Sequence, residues 1–321
     1  MDTPVPRTDV AVSLARARAL DALAGSEGVV IGVAIDHRDA LQRVLQRRGL
    51  QLSDKELGAF KARVTDALAP PATVVLLDVE HGVGPAIATG ALPGHVALCV
   101  PLEAQGYGDA ASVEETSFLP GWSPARARAL GACACKLLLP YRVDIADQAT
   151  RQERVVELAV AACRAAGAAL ILEPIVYTRA SETSTAGARF SELVVEGARR
   201  LSRLRPDVLK LQHPGSAAAC RELDTACGAE IPWVVLGGGA DADALLVQVD
   251  EACRAGAWGF IVGRTLWDEA LVPDAADQER LLVERSVPLL ERLAIIARTY
   301  ATPWRTRVPS VPTPPSGWHS T

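Results

Sequence analysis

The stretch VAIDHRDAL, residues 33–41, passes from an apolar, strand-like run straight into a helix start with no glycine fingerprint between them. An open, doubly wound sheet would usually set a G-x-G-x-x-G turn at that point, so its absence turns the reading toward a closed barrel. The run itself begins at residue 29 as VVIGVAID, and others like it recur: TVVLLDVE (73–80), HVALCVPL (95–102), ACKLLLPY (134–141), ALILEPIV (169–176), DVLKLQHP (207–214), WVVLGGG (233–239) and GFIVGRTLW (259–267). All are almost continuously apolar, as parallel strands covered on both faces are. Helical text separates most of them. Ser53 with Glu56, and Thr150 with Glu153, have capping-box spacing, and Gly167, Gly228 and Gly256 stand where helices should stop. Eight strands alternating with helices predict a (β/α)8 TIM barrel in a single domain, residues 9–305. Residues 1–8 read as an N-terminal arm, VAVSLARARALDALA (10–24) as a helix closing the barrel floor, and 306–321 as a flexible Pro/Ser-rich tail.

Bulk properties narrow the function. The 321 residues are 49% hydrophobic and 22% charged, enough for a sizeable core, and the formal net charge of −5 offers no footprint for nucleic acid. The apolar runs are strand-length, too short to span a bilayer, and MDTPVPRTDV has no apolar signal core, so a cytoplasmic protein is expected. Seven cysteines include no CxxC pair and fall mostly in Ala-rich text; small buried residues in a reducing compartment account for them.

The basic residues are unevenly chosen. The only lysines are Lys55, Lys61, Lys136 and Lys210; every other basic residue is arginine. Lys136 and Lys210 lie inside apolar strand runs, where an ammonium is costly unless it is paired or used. Barrel enzymes place their chemistry at the C-terminal strand ends. Read in order, those ends carry Asp36, Glu80, Lys136, Glu173, Lys210, Gly237, Gly238, Gly239, Gly263 and Arg264. A lysine close to another cation in a dry pocket supplies neutral amine that attacks a carbonyl, and the resulting protonated imine draws electrons from the neighbouring carbon–carbon bond. Arginine cannot do this, because its guanidinium stays protonated. The competing structural reading is a pair of lysines that merely fasten strands through Glu173. Glu173, in the apolar context ILEPIV, suits proton transfer or an ion pair with a lysine; Asp36 suits catalysis or the cap of the following helix.

VVLGGGADAD and VGRTLW together resemble a phosphate site: bare glycine amides running into a helix start, then the planar fork of Arg264. His37, His81, His95 and His213 show neither HxH nor HExxH spacing, so no metal is expected; Glu80 or His81 could still be lent to the site, although solvated loop positions suit His81 and His95 better.

These residues resemble the class I tagatose-1,6-bisphosphate aldolase family, with its sulfofructose-1-phosphate aldolase relatives. The likeness runs through GVAIDHRDAL, LLDVEHG, FLPGWSPARARALGACACKLLLPYRVD, ILEPIVYT, DVLKLQHP, PWVVLGGGAD and GAWGFIVGRTLW. It implies Lys210 as the Schiff-base lysine, Glu173 as proton-transfer acid/base, Lys136 and Asp36 in supporting positions, and Arg264 holding the anion at the far end of the sugar. It implies a sugar-phosphate substrate and no metal or other cofactor, and leaves a homo-oligomer open. Three departures stand out: Gln212 for an acidic residue, Gly237 for a serine, and Arg142 where an acid is common. The leading expectation is therefore a class I aldolase releasing dihydroxyacetone phosphate and glyceraldehyde 3-phosphate. An aldolase for a sulfonated ketose phosphate, a non-covalent isomerase and a sugar-phosphate-binding regulatory barrel are the alternatives.

Overall fold

In the computed structural model, which describes residues 7–104, 116–179, 182, 187–307 and 313–314, the predicted strand runs all form strands. They are β1 (Val30–Ala34), β2 (Val74–Leu76), β3 (Ala97–Pro101), β4 (Ala134–Pro140), β5 (Ala169–Ile175), β6 (Val208–Leu211), β7 (Trp233–Leu236) and β8 (Gly259–Val262). Every pairing is parallel and each strand neighbours the next, with β8 returning to β1, so the sheet closes as a TIM barrel. The helices are α1 (Arg7–Ala24), α2 (Asp39–Arg47), α3 (Asp54–Leu68), α4 (Val83–Ala88), α5 (Pro124–Ala129), α6 (Ala146–Ala166), α7 (Gly187–Ser202), α8 (Ala217–Cys227), α9 (Ala242–Ala255), α10 (Arg264–Trp267), α11 (Ala275–Leu281) and α12 (Val287–Tyr300).

Strand alternation sorts the apolar side chains into two cores. Ile31, Val33, Leu137, Leu139, Leu170, Leu172, Leu209, Leu211 and Phe260 point outward and pack with the helices. Val30, Ala34, Val74, Leu76, Cys99, Ala134, Ile171, Val208, Val234 and Ile261 fill the barrel interior. The same parity carries upward: Ala134 is followed on its face by Lys136, Ile171 by Glu173, and Val208 by Lys210. Continuing the inner core at the C-terminal rim thus turns it polar without any change in backbone.

The floor is closed as expected by α1, whose Leu20 and Leu23 are fully buried and whose Arg16 pairs with Asp207 below β6. Trp258 and Trp304 meet edge to face there, with ring centroids 6.0 Å apart. Arg7 and Thr8 already belong to α1; residues 1–6 of the expected arm lie outside the described residues. At the other end Arg307 holds Asp224 through two hydrogen bonds of 2.6 and 2.8 Å, while 308–312 and 315–321 of the expected tail lie outside the described residues.

Local signals fared unevenly. Ser53 and Glu56 form the reciprocal capping box at the start of α3. Gly167, Gly228 and Gly256 follow α6, α8 and α9 directly, with φ of +66°, +78° and +116°. Thr150 does not start a helix. The chain turns helical a full turn earlier, at Ala146, because Gln148 and Gln152 side chains satisfy the Pro140 carbonyl and the Arg142 amide at the end of β4. The Thr150 hydroxyl then donates to the Ala146 carbonyl inside α6, and Glu153 accepts instead from the Tyr141 hydroxyl. All seven cysteines are free and buried, and burial pushes the Cys133, Cys220 and Cys253 thiols up to about 12, which fits filler rather than nucleophiles. No described helix is long and apolar enough to cross a membrane.

Candidate active site

Above the interior core lies a cavity of about 480 Å³ at the C-terminal strand ends. Asp36, Lys136, Glu173, Lys210, Gly237, Gly238, Gly239, Gly263 and Arg264 all line it, together with His37 and Tyr177. Glu80 and His81 do not. Glu80 is half-exposed and reaches Arg38 at 3.3 Å, while His81 lies 3.2 Å from Asp54.

The polar heart is a short chain of charges. Lys210 Nζ lies 2.9 Å from Glu173 Oε1, and the other oxygen of the same carboxylate lies 3.4 Å from Lys136 Nζ. Lys136 also donates to Asp36 Oδ2 at 2.9 Å and to Glu103 Oε1 at 2.6 Å. Every one of these side chains is at most 8% exposed. The two lysines therefore differ: Lys136 is surrounded by three carboxylates, Lys210 meets one. Glu173 Oε2 is a buried oxygen with no hydrogen bond, on the side of the carboxylate that faces Lys136.

Burial works to raise the Asp36 carboxyl, but Lys136, with His37 and Lys210, outweighs it and holds the group far below the usual carboxylate range. Asp36 is thus an ionised partner of Lys136. It does not cap α2, whose N-cap position is Arg38 with no side-chain cap bond. Burial pulls the His37 imidazole down to about 3 against the pull of Asp36, so this ring faces the cavity neutral at pH 7. Glu103 shifts upward because it is buried, with Lys136 opposing.

At the other side of the cavity, Gly239 packs against Arg264, and Thr265 ties the two loops through its hydrogen bond to the Ala240 carbonyl, 2.7 Å. Gly263 must lack a side chain, since a Cβ there would meet the His37 ring at 2.6 Å and the Ala34 carbonyl at 2.8 Å. Gly237 is different: a Cβ would sit at ordinary contact distance from Val262 and Leu245, so the missing hydroxyl is a chemical departure with no steric cause. The first turn of α9 is already capped, by Asp241 on the Ala244 amide, while the glycine run and Arg264 line the cavity directly.

The remaining departures have local causes. Gln212 accepts from the Val176 amide at 2.7 Å and donates to the Val176 carbonyl at 3.3 Å, a pair of roles that an ionised carboxylate cannot fill. Arg142 is buried and clasped by Asp144 and Glu182, and it also donates to the Tyr177 carbonyl at 2.8 Å, fixing the backbone of a cavity-lining residue. Among the described residues, ligand atoms of Asp78, Glu80 and His81 come within 4.8 Å of one another, but Lys61 already pairs with Asp78 and Arg38 with Glu80.

Sequence reasoning passed over Glu103 and Arg38, and weighed His37 only as a metal ligand. Glu103 was signalled, being the residue right after the apolar run HVALCVPL. Arg38 reaches across to donate to the Glu103 carbonyl at 2.8 Å, a contact no local pattern foretells.

Fold and site together define a closed (β/α)8 barrel with two lysines and a bridging carboxylate gathered in the cavity at its C-terminal strand ends. The sequence model of the DeoC/LacD family aldolases matches residues 30–269, and the chain belongs to that family. It is an aldolase, a carbon–carbon lyase. Curated relatives include tagatose 1,6-diphosphate aldolase 1 of Enterococcus faecalis, 25% identical over 287 residues, covering 82% of this chain and 87% of the relative. The tagatose 1,6-diphosphate aldolase of Streptococcus pneumoniae is 27% identical, covering 90% and 97%. Among solved structures, an archaeal fructose 1,6-bisphosphate aldolase superposes with a TM-score of 0.60 at 18% identity, covering 87% of this chain and 99% of that one. Another archaeal fructose-1,6-bisphosphate aldolase, with its catalytic lysine bound to the carbinolamine intermediate, gives 0.61 at 17%, covering the same shares of the two chains. At these identities the structures establish the fold.

Proposed function

We propose that the chain is a class I aldolase that cleaves a ketose 1,6-bisphosphate, foremost tagatose 1,6-bisphosphate, through an imine on Lys210. The observation that carries this reading is Glu173 bridging Lys210 and Lys136 inside the cavity. Support for the substrate comes from the names of the curated relatives.

Lys210 is assigned the nucleophile because it meets one carboxylate, whereas Lys136 is pinned as an ammonium by three. Lys210 passes a proton to Glu173, 2.9 Å away, and the freed amine adds to the ketose C2 carbonyl; Glu173 then returns that proton as the C2 oxygen leaves as water. Glu173, now ionised, takes the proton of the C4 hydroxyl. The C3–C4 bond breaks, its electron pair moves into the iminium to give an enamine, and glyceraldehyde 3-phosphate departs. Protonation at C3 and hydrolysis of the imine release dihydroxyacetone phosphate and the free amine. Lys136, oriented by Asp36 and Glu103, supplies fixed positive charge beside the reacting carbons. Gly237, Gly238, Gly239, Gly263 and Arg264 hold the terminal anion.

The direct test is turnover of tagatose 1,6-bisphosphate, followed through both triose phosphates, with sulfofructose 1-phosphate as the competing substrate. A clear preference for the sulfonate would move the substrate assignment, and turnover of neither ketose would overturn the proposal. Because an imine serves as the electron sink, activity should persist after exhaustive EDTA treatment; loss on chelation, restored by zinc, would replace this mechanism with a metal-dependent one.

Arg264→Ala removes a charge-assisted contact worth about 1.5–3 kcal/mol. The expected result is a KM raised on the order of ten- to a hundredfold for substrates with a terminal anion, and little change for those without one. An equal penalty for both would make Arg264 structural.

A further inference from the structure

A third lysine lies buried beside the site, and the mechanism above does not use it. Lys61, on α3, and Asp78, just beyond β2, form an ion pair in which both side chains are completely buried. Burial pulls the ammonium down and Asp78 opposes it. Lys61 Nζ also donates to the main-chain carbonyl of His37, at 2.9 Å.

That carbonyl lies in the turn between β1 and α2, three residues of which, Asp36, His37 and Arg38, reach the site or its partners. Asp36 holds Lys136 at 2.9 Å. The His37 ring lies edge-on to Trp267, 5.3 Å between centroids, over the bare Gly263. Arg38 donates to the Glu103 carbonyl. The turn has irregular backbone, with Arg38 at φ −118° and ψ −85°, and no side chain caps the helix that follows. Asp78 is itself fixed, because its second oxygen accepts the His81 amide at 2.7 Å and Gly82 packs against it. The pair therefore joins the loop after β2 to the turn after β1 from beneath.

We infer that Lys61 is a positioning residue: through the His37 carbonyl it fixes the turn that aims Asp36 at Lys136. A purely structural ion pair would need only its own charges matched. A positioning role needs the donor to His37. Arginine, used for almost every other cation of this chain, would bring a bulkier, planar head into a space filled by a compact ammonium.

The inference rests on the aldolase reading, and the test separates the two. Lys61→Met alone strands a buried Asp78 carboxylate and can fail to fold, so two neutral pairs are compared: Lys61→Gln/Asp78→Asn, which keeps a donor for the His37 carbonyl, and Lys61→Met/Asp78→Asn, which does not. With tagatose 1,6-bisphosphate, the Gln pair should retain kcat within about threefold of the unmodified enzyme. The Met pair should lose at least about tenfold in kcat with KM held, toward the roughly hundredfold that misplacement by about 1 Å costs. Crystal structures should show the Asp36–Lys136 contact kept in the first and opened in the second. Equal kcat in the two pairs with that contact unchanged overturns the inference. So does a barrel that folds with neither pair, which would make Lys61 a stability residue. Failure of the aldolase reading shows separately, as absence of turnover by the unmodified enzyme, and the two crystal structures still decide the positioning role.

Discussion

Lys210→Arg should abolish turnover, by on the order of 10⁴-fold or more, while the protein stays folded. The substitution keeps a positive charge opposite Glu173 but removes the amine to which the proposed mechanism assigns the imine. Treating the unmodified enzyme with dihydroxyacetone phosphate and borohydride should inactivate it and attach one reduced triose phosphate to the peptide holding Lys210. Lys136→Arg should still form some imine, since the proposed mechanism gives Lys136 a role of charge and position only. Label on Lys136 instead would show that the lysines have exchanged roles. Label on neither would remove the imine mechanism. Near-identical melting curves for Lys210→Arg and the unmodified enzyme are part of the expectation, because a collapsed barrel would also be inactive.

Glu173→Gln carries the next largest effect. Glutamine has the same shape, but it can neither accept the C4 proton nor protonate the leaving C2 oxygen. General acid–base catalysis contributes ~10²–10⁴-fold, and kcat should fall by that order while KM changes little, since substrate is held at its anionic end. Removing the carboxylate also leaves Lys210 and Lys136 facing each other across a neutral amide. Slow borohydride trapping should therefore survive in this variant, separating a defect in proton transfer from loss of the nucleophile. An unchanged kcat would reduce Glu173 to a counter-ion between two lysines.

The barrel was legible because each strand is buried on both faces and therefore apolar throughout, leaving a lysine or glutamate in such a run conspicuous. Lys136, Glu173 and Lys210 stand out for that reason, and strand parity places them on the inner face. Glu103 was harder to see, since its role depends on register between strands. Pro101 pairs with Lys136, which sets the next inward carboxylate beside Leu138, whose amide donates to it at 3.2 Å. Lys61 gave no signal, because a lysine in helical text is ordinary until another element covers it. Thr150 misled: capping-box spacing recurs inside helices, and Gln148 and Gln152, on either side of Thr150, tie the first two turns of α6 to the end of β4. Asp36 was legible as important but not in its role, because a residue before a helix resembles a cap until its partner across the barrel is known.

The scarcity of lysine also has a practical consequence. With Lys61, Lys136 and Lys210 buried, Lys55 is the lysine side chain that the outer surface presents to amine-reactive chemistry. Acylating reagents, aldehyde-activated resins and amine cross-linkers would therefore modify lysine side chains at Lys55, in the first turn of α3. On the purified protein, a small ketone followed by hydride should in turn mark the interior amine with Lys55 as the one exposed lysine competing, so that active centres could be counted.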